Sequence, residues 1–494
     1  MTSLGIDIGS SSVKVSLLNI QSGKCLAAVT LPSSEMPIEA AHPGWAEQDP
    51  DMWWTYVCDA IARIAATNPL KEIKSVGITY QMHGLVCIDK NGKPLRKSII
   101  WCDSRAVETG EKAFREIGPE KCLTHLLNSP GNFTASKMAW VKQNEPEIFA
   151  RTYKFFLPGD YIAYKLSGEI CTTGSGLSEQ ILWDFTTDTP AEFVSDYYGI
   201  PSSYLPVHKP SLGIQSYTSR ETEIRLGIPQ GTPISYRAGD QPNNAFSLNV
   251  MDSGEIAATA GTSGVVYGIT DTPRADKQSR VNPFLHVNHS SGNPRYGVLL
   301  CINGTGILNA WMRKNVSPEL SYAQMNELMA LAPAGSDGLS ILPFGNGAER
   351  ILENRFTGVQ INGLDLNRHS RSHFLRAAHE GIAFSFRYGV DIMKDMGLVP
   401  KVIRAGEANM FLSPVFRNTL ATLCDASIEL YNTDGSLGAA RGAAWGAGHY
   451  ESREACFAGL KCIRSEEPKT SWRGPLEMAY QNWKNKLEKA ISNI

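Results

Sequence analysis

The stretch Leu4-Gly5-Ile6-Asp7-Ile8-Gly9-Ser10-Ser11-Ser12-Val13-Lys14-Val15-Ser16-Leu17-Leu18 decides how this chain folds. An apolar run, a turn of one glycine and three hydroxyls, and a second apolar run read as paired strands. Ser22-Gly23 then turns the chain into Cys25-Leu26-Ala27-Ala28-Val29, so the opening is a β-meander. Asp7 closes the first strand. Backbone N–H groups of such a turn, with hydroxyls beside them, suit phosphate oxygens, and a strand-end carboxylate suits Mg²⁺ held through water. The spacing is not that of a P-loop. Taken alone, such a Gly-Ser turn is more often merely the turn of a hairpin.

The same unit returns half a chain later. After a loop at Gly239-Asp240, Glu255–Ala260 leads into Gly261-Thr262-Ser263-Gly264, and Val265–Ile269 follows as another strand. Repetition of strand, small hydroxyl turn and strand implies duplicated domains facing one another. Length agrees, because 494 residues exceed the roughly 250 to 300 that one core can serve. The expected division is 1–248 for the first domain and 249–494 for the second. Trp53–Ala66 has helical spacing and Ile73–Ile78 is a short apolar strand, so each meander passes into an α/β layer. Small residues predict close packing for helices at 373–396 and 437–450, where Gly438, Ala439, Ala440, Gly442, Ala443 and Ala444 leave little side-chain bulk. A further helix is expected over 414–424. Only the last few residues read as disordered.

Composition narrows the function. A formal charge of -2 offers no field for nucleic acid or an anionic membrane, so phosphate binding has to be local. No stretch approaches the roughly 20 apolar residues of a membrane span, and the N-terminus lacks a signal-peptide pattern, which predicts a soluble cytoplasmic protein. The 10 cysteines lie far apart without metal spacing and read as reduced thiols.

Two matched turns suggest a clamp on a triphosphate, and further segments make the resemblance specific. They are His42-Pro43-Gly44-Trp45-Ala46-Glu47-Gln48-Asp49-Pro50 with Trp53-Trp54, Gln81-Met82-His83-Gly84, Trp101-Cys102-Asp103-Ser104-Arg105, Gly239-Asp240-Gln241, Leu342-Pro343-Phe344 through Gly347-Ala348-Glu349-Arg350, and Gly435-Ser436-Leu437-Gly438-Ala439-Ala440. Together they resemble the FGGY family of carbohydrate kinases nearly end to end, and most of all its xylulokinase branch. The resemblance implies two actin-like, ribonuclease H-like α/β domains with a catalytic cleft between them, binding ATP and Mg²⁺ and phosphorylating a small sugar, with D-xylulose foremost. Kinases for gluconate, ribulose or glycerol, and a catalytically silent sugar sensor, are the competing readings. The resemblance allows a homodimer.

It also implies roles. Asp240 is the general base, and Asp7 organises Mg²⁺ through its waters. Met82, His83, Asp240, Gln241 and Arg105 face the sugar. Gly9, Ser10, Ser11, Ser12, Lys14, Gly261, Thr262, Ser263, Gly304, Gly406 and Asn409 serve the nucleotide. Without the resemblance, Asp240 reads as a turn aspartate and His83 as an ordinary hydrogen-bonded histidine. Trp45 and Trp54 read as packing residues.

The chain departs from the family pattern at three places. Gln241 stands where many xylulokinases have asparagine. Arg404-Ala405-Gly406-Glu407-Ala408-Asn409-Met410 replaces a glycine-rich run and brings the charge of Glu407 toward the expected adenosine site. Thr172–Ser178 reads as an altered loop on the sugar side.

Overall fold

A computed structural model describes residues 1–493. Its framework is a pair of mixed sheets. The first contains β1 (Thr2–Ile8), β2 (Val13–Asn19), β3 (Cys25–Leu31), β4 (Ile73–Tyr80), β5 (Leu212–Tyr217) and β6 (Pro233–Gly239), ordered β5-β6-β4-β1-β2-β3. The second contains β7 (Glu255–Ala260), β8 (Gly264–Thr270), β9 (Asn282–Leu285), β10 (Tyr296–Ile302), β11 (Val402–Gly406), β12 (Ser427–Tyr431) and β13 (Cys462–Glu466), ordered β9-β10-β8-β7-β11-β12-β13.

In both sheets an antiparallel meander is extended by two strands parallel to its first. β4 and β6 follow β1 in that sense, as β11 and β12 follow β7. The internal repeat is therefore a whole sheet, in the actin-like arrangement expected. The copies differ at both edges: antiparallel β5 precedes its neighbour in sequence whereas antiparallel β13 follows its own, and at the other edge the second sheet carries an additional strand, β9.

The helices that position the site are α1 (Pro50–Ala65), α2 (Thr134–Asn144), α3 (Gly174–Glu179), α4 (Asp240–Ser247), α5 (Gly306–Asn315), α6 (Arg371–Asp395) and α7 (Gly435–Gly446). Asp49 starts α1 by accepting a hydrogen bond from the Asp51 N–H at 2.9 Å, with Pro50 in the first turn, where a missing N–H costs nothing. Trp53, Val57, Ile61 and Ile64 of α1 are buried against β2 and β3. The opposite face of the sheet is covered by α7, which comes from the far half of the chain.

That cover explains the small residues. A Cβ on Gly5 would lie 1.8 Å from the Ser436 carbonyl oxygen, and one on Gly77 would lie 2.0 Å from that of Ala439. Backbone thus packs on backbone, and buried serines satisfy the polar groups so enclosed. Ser3 Oγ donates to the Ala440 carbonyl at 2.7 Å and Ser235 Oγ to that of Ala443 at 2.7 Å, each contributing about 1 kcal/mol net. In α6 the close approach is made to a strand: a Cβ on Gly381 would sit 2.1 Å from the Ile341 carbonyl oxygen.

Four sequence expectations change. Gly239-Asp240 is the junction of β6 and α4 and not a loop. The altered loop at 172–178 is mostly the short helix α3, capped by the Thr173 hydroxyl. A terminal helix, Thr470–Ser492, runs into the last few residues, expected to be disordered, while Ile494 lies outside the described residues. The helix expected at 437–450 begins at Gly435 and ends at Gly446, closed by Gly448 in the left-handed region (φ 80°) as the Gly448 and His449 N–H groups donate to the Trp445 and Ala444 carbonyls at 2.8 and 2.9 Å. All ten cysteines are free. Among the described residues no helix is long and apolar enough to cross a membrane.

Candidate active site

Asp7 and Lys14 sit directly opposite each other across β1 and β2. Pairing with the N-cap of α7 completes the cluster, because Lys14 Nζ donates to Asp434 Oδ2 at 2.7 Å while Asp434 Oδ1 accepts from the Leu437 N–H at 3.0 Å. Burial alone would raise Asp434, but hydrogen bonds from Lys14, Leu437 and Ser436 outweigh it and hold the carboxyl below its usual range. Asp7 has no such relief. Burial, followed by the charges of Asp240 and Asp434, pushes it up to about 7, with Lys14 pulling weakly the other way. Between Asp7 and Asp434 the chain passes as Gly435, whose missing Cβ would lie 2.2 Å from Asp7 Oδ2. Asn243 of α4 fixes that glycine by donating to its carbonyl at 2.9 Å.

Asp240 occupies the first position of α4, after Gly239 ends β6 in extended backbone. Burial pushes its carboxyl up to about 6, offset in part by a hydrogen bond from Gln241 Nε2 at 3.2 Å. An aspartate poised near 6 is ionised at neutral pH yet basic enough to take a hydroxyl proton. The excess of carboxylate over cation around Asp7 suits a divalent metal. Among the described residues no three His, Cys, Asp or Glu side chains converge closely enough to hold one directly.

The segment Gln81–Gly84, expected to face the sugar, lies beside this cluster. Gln81 receives its register from the Ile8 carbonyl, 2.7 Å from its N–H, and its amide Nε2 donates to Gln48 Oε1 at 2.9 Å. Gln48 Nε2 in turn donates to the Ser10 carbonyl at 2.7 Å, tying the first hydroxyl turn to that segment. Met82 is buried against Gly239, the residue before Asp240. His83 has a left-handed backbone, φ 61°, and its carbonyl accepts from Lys137 Nζ of α2 at 2.7 Å. Its ring lies 4.7 Å from Phe133 and 5.5 Å from Phe284 of β9.

Because Nδ1 of His83 meets the Glu179 carbonyl oxygen at 2.9 Å, and a carbonyl only accepts, the ring proton resides on Nδ1 and Nε2 is an acceptor. Burial and the nearby Lys137 charge depress this histidine to about 3, so it is neutral. Arg105 is engaged elsewhere. Its guanidinium forks onto Asp103, pairs with Glu47 at 2.7 Å and lies 3.7 Å from the Trp45 ring, leaving the side chain 1% exposed. It borders a separate cleft of about 670 Å³, so its contacts brace the 42–50 segment.

The second hydroxyl turn is held by α5, whose Gly306 and Ile307 N–H groups donate to the Gly261 and Thr262 carbonyls at 2.9 and 3.1 Å. Gly261 and Thr262 border a cavity of about 360 Å³ that also receives Asn409, His379 and Met325. Ser263 is exposed beside it. Space around Gly406 is open, whereas Gly304 has its N–H committed to Glu349 Oε1 at 2.7 Å and is pressed against Pro343. Glu407 does not line the cavity and faces Arg464 at 3.9 Å, so its charge is directed away from the expected adenosine site.

Sequence reading missed Asp434, Lys137 and Glu179. Asp434 precedes the Gly435-Ser436 pair and shows the N-cap signal of an aspartate ahead of a helix. Lys137 and Glu179 carry no local signal, since each acquires its place only when α2 and α3 pack beneath His83.

The sequence matches the model of the FGGY family of carbohydrate kinases through its N-terminal domain at residues 2–247 and its C-terminal domain at 256–448. The xylulose kinase of Bacillus subtilis is 29% identical over 92% of this chain and 90% of its own length. The crystal structure of xylulose kinase from Rhodospirillum rubrum superimposes with a TM-score of 0.88 at 25% identity, covering 99% of both chains. A gluconate kinase from Lactobacillus acidophilus reaches a TM-score of 0.89 at 21% identity, covering 99% of this chain and 98% of that one, a likeness of fold alone.

Proposed function

The chain belongs to the FGGY family of carbohydrate kinases, and from that premise we propose that it transfers the γ-phosphate of ATP to the 5-hydroxyl of a ketose, D-xylulose foremost. The observation that carries this reading is Asp240, set one residue beyond Gly239, which packs against Met82, and raised to about 6 beside the still more basic Asp7. Xylulose kinases among its relatives support the choice of ketose.

In this reading Met82 and the accepting Nε2 of His83 orient the ketose, with Gln241 beside the reacting hydroxyl. Asp240 accepts the hydroxyl proton as the sugar oxygen bonds to the γ-phosphorus and the bond to the bridging oxygen of ADP breaks. The turns Gly9–Ser12 and Gly261–Ser263 supply N–H and hydroxyl donors to the phosphates, and the cavity beside Asn409 receives the adenosine. Mg²⁺, held through water by Asp7, would supply neutralising charge between the β- and γ-phosphates. Lys14 and Asp434, paired with each other, anchor the start of α7 beside Asp7, and Arg105 acts as a brace.

A coupled assay of ADP release over a panel of D-xylulose, D-ribulose, L-ribulose, gluconate and glycerol, with ATP and Mg²⁺, tests this. D-xylulose should give the highest kcat/KM. Faster turnover of a sugar acid or of glycerol would overturn the substrate, and ADP release without any sugar would overturn the kinase.

A further inference from the structure

The short turn Arg350–Leu352 brings a guanidinium to the cleft from the second half of the chain. Its place is set by Glu349, whose carboxylate accepts from the Asn303 and Gly304 N–H groups at 2.8 and 2.7 Å just beyond β10. Arg350 Nε donates to the Ser279 carbonyl at 3.0 Å. Ser279 lies just ahead of β9, which pairs antiparallel with β10 and carries Phe284 against the His83 ring. Arg350 thus belongs to the β9 edge of the second sheet, and its charge reaches His83.

The rest of the guanidinium is free. Among the described residues neither Nη1 nor Nη2 of Arg350 has a hydrogen-bond or ion-pair partner. The carboxylate whose charge acts on it, Asp276, is already paired with Arg280 at 2.8 Å. Burial holds Arg350 below its usual range, and its charge contributes to the depression of His83 and bears on Cys301, which also feels Asp240. A partly desolvated cation without a counter-ion is unfavourable until an anion arrives. A neutral ketose brings none, whereas a phosphoryl group in transit does.

We propose that Arg350 is an anion-binding residue that receives the phosphoryl group as it passes to the sugar and retains the phosphate of the product. The inference rests on the kinase reading of the cleft. The two Nη groups form a planar fork matched to phosphate oxygens, and a donor aimed at charge that develops on transfer accelerates the step without tightening the neutral substrate.

The test is calorimetric titration of inorganic phosphate into the wild-type protein, Arg350→Gln and Arg350→Lys, alongside turnover with ketose and ATP. Arg350→Gln should weaken phosphate binding at least about tenfold and lower kcat about 100-fold, with ketose affinity unchanged, and Arg350→Lys should recover part of both. Phosphate binding as tight in Arg350→Gln as in the wild type would overturn the proposal. Loss of phosphate binding in the variant, together with a wild type that phosphorylates no sugar, would sink the kinase reading and leave the anion site standing. Should Arg350→Gln not fold, phenylglyoxal labelling of the native protein decides: phosphate should protect Arg350, and equal labelling with and without phosphate would refute the assignment.

Discussion

Replacing Asp7 by asparagine should make the ligand-free protein more stable while abolishing phosphoryl transfer. The carboxyl titrates at about 7 in the fold against 3.8 ordinarily, so the folded state holds its proton more tightly than the unfolded state throughout that window. Wild-type stability therefore declines as pH rises from about 4 to about 7. A difference of about three pH units at about 1.4 kcal/mol each sets an upper limit of about 4 kcal/mol. Partial exposure of the carboxylate discounts this to about 2 kcal/mol. Asparagine fills the same volume without charge, and among the described residues no hydrogen bond reaches the Asp7 carboxylate to be lost. Urea unfolding without nucleotide should show the variant about 2 kcal/mol more stable at pH 7 and nearly equal to wild type at about pH 4. A destabilised variant at pH 7, or a gain of the same size at both pH values, would refute the reasoning.

Other consequences can be checked separately. Gly5→Ala drives a Cβ to 1.8 Å from the Ser436 carbonyl and should cost about 3 kcal/mol of stability, read as a lowered Tm. Gly435→Ala forces a Cβ to within 2.2 Å of Asp7 Oδ2 and should lower kcat/KM about 100-fold through displacement of that carboxylate; unaltered kinetics would mean that Asp7 has room to move. His83, depressed to about 3, should show no imidazole titration by NMR between about pH 5 and pH 8.

Much of this fold is legible because its signals are local. The Gly9–Ser12 and Gly261–Gly264 turns each stand between apolar runs, and that repeat forecasts a pair of like sheets. The small residues of 437–447 announce close packing, but not its partner, since nothing local in α7 says that it will cross to β1 and β4 of the other half. Asp240 illustrates the same limit at the site. A Gly-Asp pair has the look of a turn, and only pairing of β6 with β4 places it at a strand-to-helix junction beside Met82. Arg105 shows the opposite case: its motif suggested the pocket, whereas Asp103, two residues before it, together with the sequence-distant Glu47 and Trp45, takes up its charge and its face. Glu407 likewise looked like an obstacle to nucleotide until the edge strand β13 supplied Arg464.

The most direct measurement for Asp240 as the base is the single-turnover rate of ketose phosphorylation by Asp240→Asn, taken with the ketose affinity of the same protein. The base acts in the transition state more than in binding, so the rate should fall about 100- to 10,000-fold while affinity stays within about threefold of wild type. A near-normal rate in the variant would contradict the account.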